Sequence, residues 1–135
     1  MNDSQPPSFV SSKKILVVDD APQVAETIQA TLIYLGHQVE VAENGKDALR
    51  QFEPGKYDLV VTDYSMPKMN GVELAAAIKK RAPDQLILLI TAYAFSIAAN
   101  DAQPLPVDFV LQKPFPPREL GAALAGLFSP AKETV

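Results

Sequence analysis

The stretch ILVVDD, Ile15–Asp20, sets four apolar residues directly before two adjacent carboxylates, with Ala21 and Pro22 next. An apolar run without polar alternation fits a strand covered on both faces, as in a parallel sheet. Outward from it, β-branched runs bounded by turn residues alternate with segments of helical spacing, the pattern of βα units. The pattern predicts strands at Ile15–Val18, around Val39 and Val41, and at Leu59–Thr62, Leu86–Ile90 and Phe109–Leu111. Helices are predicted over Pro22–Leu35, Lys46–Phe52, Gly71–Arg81 and Arg118–Leu127, with Gly36 closing the first and Pro83 the third. Pro104 and Pro106 cannot sit inside a helix, so a short helix over Ser96–Asp101 followed by an extended loop is expected after the fourth strand.

At 135 residues and 47% hydrophobic, the chain has room for one ordinary core. The domain is expected over residues 13–129, between an N-terminal tail of residues 1–12 and a C-terminal tail of residues 130–135, as a monomer or weak dimer. A net charge of -4 argues against nucleic acid or an anionic membrane surface as the main partner. The lack of cysteine removes disulfides and thiolate metal sites and fits a reducing compartment. No apolar run approaches a membrane span, and residues 1–12 hold no signal-peptide core, so a cytoplasmic protein is expected.

Strict alternation of strand and helix suits a doubly wound open sheet, whose ligands bind beyond the carboxyl ends of the strands. Asp19 and Asp20 fall at the end of the first strand, Asp63 of the third, Thr91 of the fourth and Lys113 of the fifth. Two carboxylates about 4 Å apart repel by about 4 kcal/mol at an effective dielectric near 20, so such a cluster needs counter-charge. Lys113 supplies one, and a hard cation with oxygen ligands, Mg²⁺ by preference, supplies another. Asp63, on the middle strand, could then attack phosphorus in line while Asp19 and Asp20 seat the cation. Thr91 and Lys113 would donate to phosphoryl oxygens. Singly, these residues have plainer readings: Asp20 as a helix N-cap, Asp63 as a turn opener, Thr91 as a strand former, Lys113 as a solvated charge. It is their convergence that favours the chemistry. His37, after Gly36, reads as a turn residue, Met66 and Met69 as loop and packing residues, and Asn70 with Gly71 as a turn entering a helix.

The set LVVDD, DLVVTDYSMPKMNG, LLITAY and VLQKPF resembles the receiver domain of two-component response regulators, from about Lys13 to Phe128. That resemblance implies a flavodoxin-like five-stranded parallel sheet in the order 2-1-3-4-5. It implies Asp63 as phosphoacceptor, Mg²⁺ ligated by Asp20 and Asp63 directly, by Asp19 through water and by the backbone carbonyl of Ser65. Thr91 would move toward the phosphoryl group, Lys113 would pair with it, and the Lys113–Pro114 bond would be cis. The implied partners are a histidine kinase or histidine phosphotransfer protein and a downstream protein. The domain would catalyse only its own phosphorylation and dephosphorylation, without turnover of a separate substrate.

Some positions depart from the family pattern. An aromatic residue is usual three places before the lysine, where this chain has Val110; Phe109, one residue earlier, faces the opposite way by the period of a strand. Ser65 and Tyr93, two places beyond Asp63 and Thr91, are expected to tune the phosphoryl lifetime. Aspartate-based phosphatases place a second acid where Ser65 stands, which weakens an enzyme reading. The chain ends in SPAKETV, so output is expected through protein contact or phosphate relay. The alternative is an interaction module that keeps the receiver fold and docks partners without phosphorylation.

Overall fold

Each apolar run becomes a strand and each run of helical spacing a helix in the computed structural model, which describes residues 11–94 and 104–129. In chain order these are β1 (Lys14–Val18), α1 (Pro22–Tyr34), β2 (Gln38–Ala42), α2 (Gly45–Gln51), β3 (Leu59–Asp63), α3 (Gly71–Arg81), β4 (Ile87–Thr91), β5 (Phe109–Gln112) and α4 (Pro117–Leu127). The strands form one parallel sheet in the order β2-β1-β3-β4-β5, as expected. Ile15 stands opposite Val39 on one side and Leu59 on the other, Val61 opposite Leu88, and Leu89 opposite Val110.

Apolar side chains on both faces of the central strands require a layer of helices on each side. On one face Ile15, Val17, Val61 and Ile90 pack with Ile28 and Leu32 of α1 and Leu120 and Leu124 of α4. On the other, Leu16, Val18, Val60 and Ile87 meet Ala48 of α2 and Leu74, Ala75 and Ile78 of α3, with Phe52, Tyr57 and Met66 closing the layer. Ile78 and Leu88 are fully buried, and truncating either to Ala should cost about 2–5 kcal/mol.

Local chemistry sets the helix ends. Asn70 caps α3 by accepting the Glu73 N–H at 2.8 Å while Glu73 Oε1 accepts the Asn70 N–H at 2.9 Å, a reciprocal box that fixes where β3 hands over to helix. Asn44 accepts the Asp47 N–H at 2.7 Å at the start of α2. The expected cap of α1 is corrected: Ala21, not Asp20, holds the N-cap position, and the Ala21 N–H is accepted by Asp19 Oδ1 at 2.9 Å. Pro22 at the first helical position needs no partner for an N–H it lacks. Gly36, at φ 99°, closes the helix as expected.

The helix expected over Ser96–Asp101 lies outside the described residues. Residues 104–108 form no regular element, in keeping with Pro104 and Pro106. Asp108 anchors this segment: its N–H donates to Ile87 O at 2.8 Å, and its Oδ2 accepts the Ile87 N–H and the Lys79 ammonium. Among the described residues no helix is long and apolar enough to cross a membrane.

Candidate functional site

The carboxyl ends of β1, β3, β4 and β5 meet at one rim of the sheet. Asp63, the last residue of β3, lies opposite Ile90 of β4, and the next backbone N–H, of Tyr64, donates to Ile90 O at 2.8 Å. Gly71, opening α3, donates to Tyr64 O at 2.9 Å, so the chain after Asp63 loops out and returns against its own strand end. The Lys113 N–H donates to Thr91 O at 2.8 Å, continuing the β4–β5 ladder to the rim. The Lys113–Pro114 bond is cis.

One carboxylate oxygen from each of Asp19, Asp20 and Asp63 lies within 4.8 Å of the others. Asp19 and Asp63 are buried, whereas Asp20 is exposed. The Lys113 ammonium sits 2.7 Å from Asp63 Oδ1, which neutralises one acid. Asp19 Oδ1 holds the Ala21 N–H, but its Oδ2 is buried with no donor in reach among the described residues. The Asp19 carboxyl is accordingly raised above the usual carboxylate range, first by burial and further by the charges of Asp63 and Asp20, against the lowering effects of the Ala21 N–H and Lys113. An orphaned buried oxygen beside two more carboxylates fits a small hard cation, and the all-oxygen donor set suits Mg²⁺.

Thr91 is buried, and its Oγ1 accepts the Tyr93 N–H at 3.0 Å. Ser65 lies exposed on the loop after β3, and Tyr93 lies exposed beyond β4. Thus Asp19, Asp20, Asp63, Thr91 and Lys113 gather at one rim. Met66 is buried in the α2–α3 layer and Met69 packs against it, consistent with packing roles. His37 follows the turn after α1, and it is also a buried acceptor: its Nδ1 takes the Lys13 N–H at 3.0 Å. Gln112 is not marked out by the sequence, yet its side chain joins the segment after Thr91 to the backbone of Lys113. A lone polar residue at an edge-strand end carries no periodic signal that would single it out.

Five parallel strands wound on both faces, with an acidic cluster and an ion-paired lysine at the carboxyl rim, define a flavodoxin-like α/β domain. Residues 15–125 match the response regulator receiver domain, and the chain belongs to that family. It is 34% identical over 116 residues to the alkaline phosphatase synthesis transcriptional regulatory protein PhoP of Bacillus subtilis, covering 86% of this chain and 48% of that protein. It is 35% identical over 117 residues to the response regulator MprA of Mycolicibacterium vanbaalenii, covering 84% and 49%. The chain therefore spans about half the length of these curated relatives. Among solved structures it resembles response regulator TrrA of Thermotoga maritima, crystallised with Mg²⁺-BeF, at 39% identity and TM-score 0.77, covering 85% of this chain and 98% of that one. It also resembles the receiver domain of a sensor histidine kinase of Pseudomonas aeruginosa, solved with magnesium in its active-site cleft, at 26% identity and TM-score 0.76, covering 87% and 97%. Receiver domains are phosphoacceptors that act with histidine kinases or phosphotransfer proteins, and use of Mg²⁺ is typical of the family.

Proposed function

We propose that the chain works in the cytoplasm as a phosphorylation switch: Asp63 accepts a phosphoryl group from a phosphohistidine of a histidine kinase or phosphotransfer protein. The phosphorylated domain then changes its affinity for a downstream protein or passes the group on. The proposed unit is residues 13–129. The observation that carries this reading is the Lys113 ammonium 2.7 Å from Asp63 Oδ1 at the edge of a three-carboxylate cluster. Lys113 holds one Asp63 oxygen, which leaves the other as the nucleophile. That oxygen forms the new bond to phosphorus as the donor's P–N bond breaks, and the imidazole departs with the electron pair. Lys113 and Thr91 then hold phosphoryl oxygens, so the protein contributes positioning and charge neutralisation more than covalent chemistry.

Asp19, Asp20 and Asp63, with the Ser65 carbonyl, would hold Mg²⁺, which when bound neutralises charge on the phosphoryl oxygens. Exposed Ser65 and Tyr93 flank the acceptor, where they set how readily water reaches the aspartyl phosphate. Incubation with Mg²⁺ and acetyl phosphate, followed by intact mass, tests the reading. Wild type should gain one phosphoryl group and Asp63→Asn none. No adduct on wild type, or equal labelling of the variant, would leave the phosphorylation-independent module as the better account.

A further inference from the structure

Gln112 is the last residue of β5 and immediately precedes Lys113. The residue is exposed, yet its side-chain amide is fully engaged: Nε2 donates to Ala92 O at 2.6 Å and to Lys113 O at 2.9 Å, and Oε1 accepts the Ala94 N–H at 3.0 Å. Both amide protons and one oxygen lone pair are used. A flipped amide would set its oxygen against two carbonyls and its NH₂ against an N–H, so the partners fix its orientation. Thr91 and Gln112 are the last pair of the β4–β5 register, and the Lys113 N–H to Thr91 O bond closes the ladder beside them. One side chain, placed outside the acidic cluster, therefore ties residues 92–94 to the backbone of Lys113.

We propose that Gln112 is a positioning residue that makes the Thr91 hydroxyl and the Lys113 ammonium present themselves to a group on Asp63 as one preset pair. This rests on the phosphoryl-transfer reading above. The Lys113 N–H to Thr91 O bond joins the two backbones at one point, and the amide adds a hold on residues 92–94, whose Tyr93 N–H is bonded to Thr91 Oγ1; without it, more ordering is left to be done when an anion binds, and that ordering lowers affinity. Donors tied together beforehand avoid most of it. The tie lies on the β4–β5 side of the rim and its three bonds reach none of the carboxylates that would hold Mg²⁺, Asp19 and Asp20 following β1 and Asp63 ending β3. Loss of the amide should therefore weaken binding of a phosphoryl-like anion and leave Mg²⁺ binding unchanged.

Gln112→Leu keeps the bulk and removes all three bonds. Gln112→Glu keeps an acceptor for the Ala94 N–H but sets a carboxylate against the carbonyls of Ala92 and Lys113. Three quantities are measured on the whole chain: Mg²⁺ affinity, beryllofluoride affinity at saturating Mg²⁺ from tyrosine fluorescence, and exchange of the Ala94 amide without Mg²⁺. Gln112→Leu should bind beryllofluoride about tenfold more weakly, with Mg²⁺ affinity unchanged and Ala94 exchanging faster. Gln112→Glu should also lose beryllofluoride affinity, because it keeps only the weakest part of the tie. A Gln112→Leu protein that melts earlier but binds beryllofluoride as wild type does would show a structural role only and overturn the proposal. Failure of wild type itself to bind beryllofluoride would instead bring down the phosphoryl-transfer reading, and this proposal with it.

Discussion

The Lys113 ammonium and Asp63 Oδ1 lie 2.7 Å apart, but the two partners differ in exposure, with 33% of the lysine side chain and 7% of the aspartate accessible. Removing the cation from a nearly buried carboxylate costs more than the pair itself contributes, since the remaining charge is left without compensation. Solvent around the ammonium reduces that cost below the range for fully buried pairs. Lys113→Met should therefore destabilise the Mg²⁺-free protein by about 1–2 kcal/mol. Combining it with Asp63→Asn should recover most of the loss. Urea denaturation of both variants checks this, and strictly additive losses would show that the contact carries no coupling.

Asp19 bears the largest unmet demand at the rim, because its Oδ2 is buried without a donor and its carboxyl is raised by burial and by two neighbouring carboxylates. Asp19→Asn keeps an oxygen for the Ala21 N–H and converts the orphaned acceptor into a donor facing acids. Without Mg²⁺ this should stabilise the fold by about 1 kcal/mol, or about 3–5 °C in Tm. Exposed Asp20 should give a smaller gain on the same change. Both variants should lose the rise in Tm that Mg²⁺ gives wild type. Melting curves with and without Mg²⁺ decide it, and an Asp19→Asn protein less stable than wild type in the apo state contradicts the account of a strained pocket.

Residues that end strands could be placed from the sequence because strand ends converge once the sheet order is known. Asp63, Thr91 and Lys113 needed nothing more. The doubled acid was readable as a pair, but its local bonding was not: Asp20 offers a possible cap for α1, whereas the N-cap position falls to Ala21, whose N–H is bonded to Asp19. That choice depends on how the chain turns after Val18, which no periodicity encodes. His37 was readable as a turn residue, but its partner, the Lys13 N–H, is 24 residues away. Gln112 carried no signal for the same reason, since two of its three bonds depend on where a separate loop returns. What escaped the sequence was long-range pairing of single polar groups, whereas repeated apolar spacing carried the sheet and its helices.

The return of the chain against Asp63 leaves no space for a side chain at the start of α3. A Cβ on Gly71 would run into Asp63 O and lie 2.7 Å from Leu89 Cδ1, and the first of these is backbone of β3. Gly71→Ala should destabilise by about 2–3 kcal/mol and displace Asp63. Gly45 offers a contrast, because the nearest atoms to its added Cβ all belong to the Met69 side chain, with Sδ at 2.7 Å and Cγ and Cβ at 3.1 and 3.2 Å. Gly45→Ala should cost less than about 1 kcal/mol, since methionine adapts its rotamer. Paired denaturation curves check the ranking, and equal losses at the two sites would mean that the backbone at Asp63 yields as easily as a methionine side chain.

His37 gives the stability a dependence on pH near neutrality. Its imidazole is held below the ordinary value of 6.5, first by burial and then by the Lys13 charge, against an opposing pull from Asp58. Protonation would also remove the Nδ1 lone pair that accepts the Lys13 N–H. The unfolded chain therefore binds the His37 proton more tightly than the folded one. Between the folded value and 6.5 it carries more protons, so stability rises with pH across that window. The contribution is complete above 6.5 and is lost progressively as pH falls below it, with a limiting slope of about 1.4 kcal/mol per pH unit. Lowering the pH from about 7.5 to about 5.5 should cost wild type more stability than it costs His37→Gln, which can still accept the Lys13 N–H but does not titrate. Urea midpoints at the two pH values measure the difference, and parallel shifts in both proteins would assign the pH dependence to other groups.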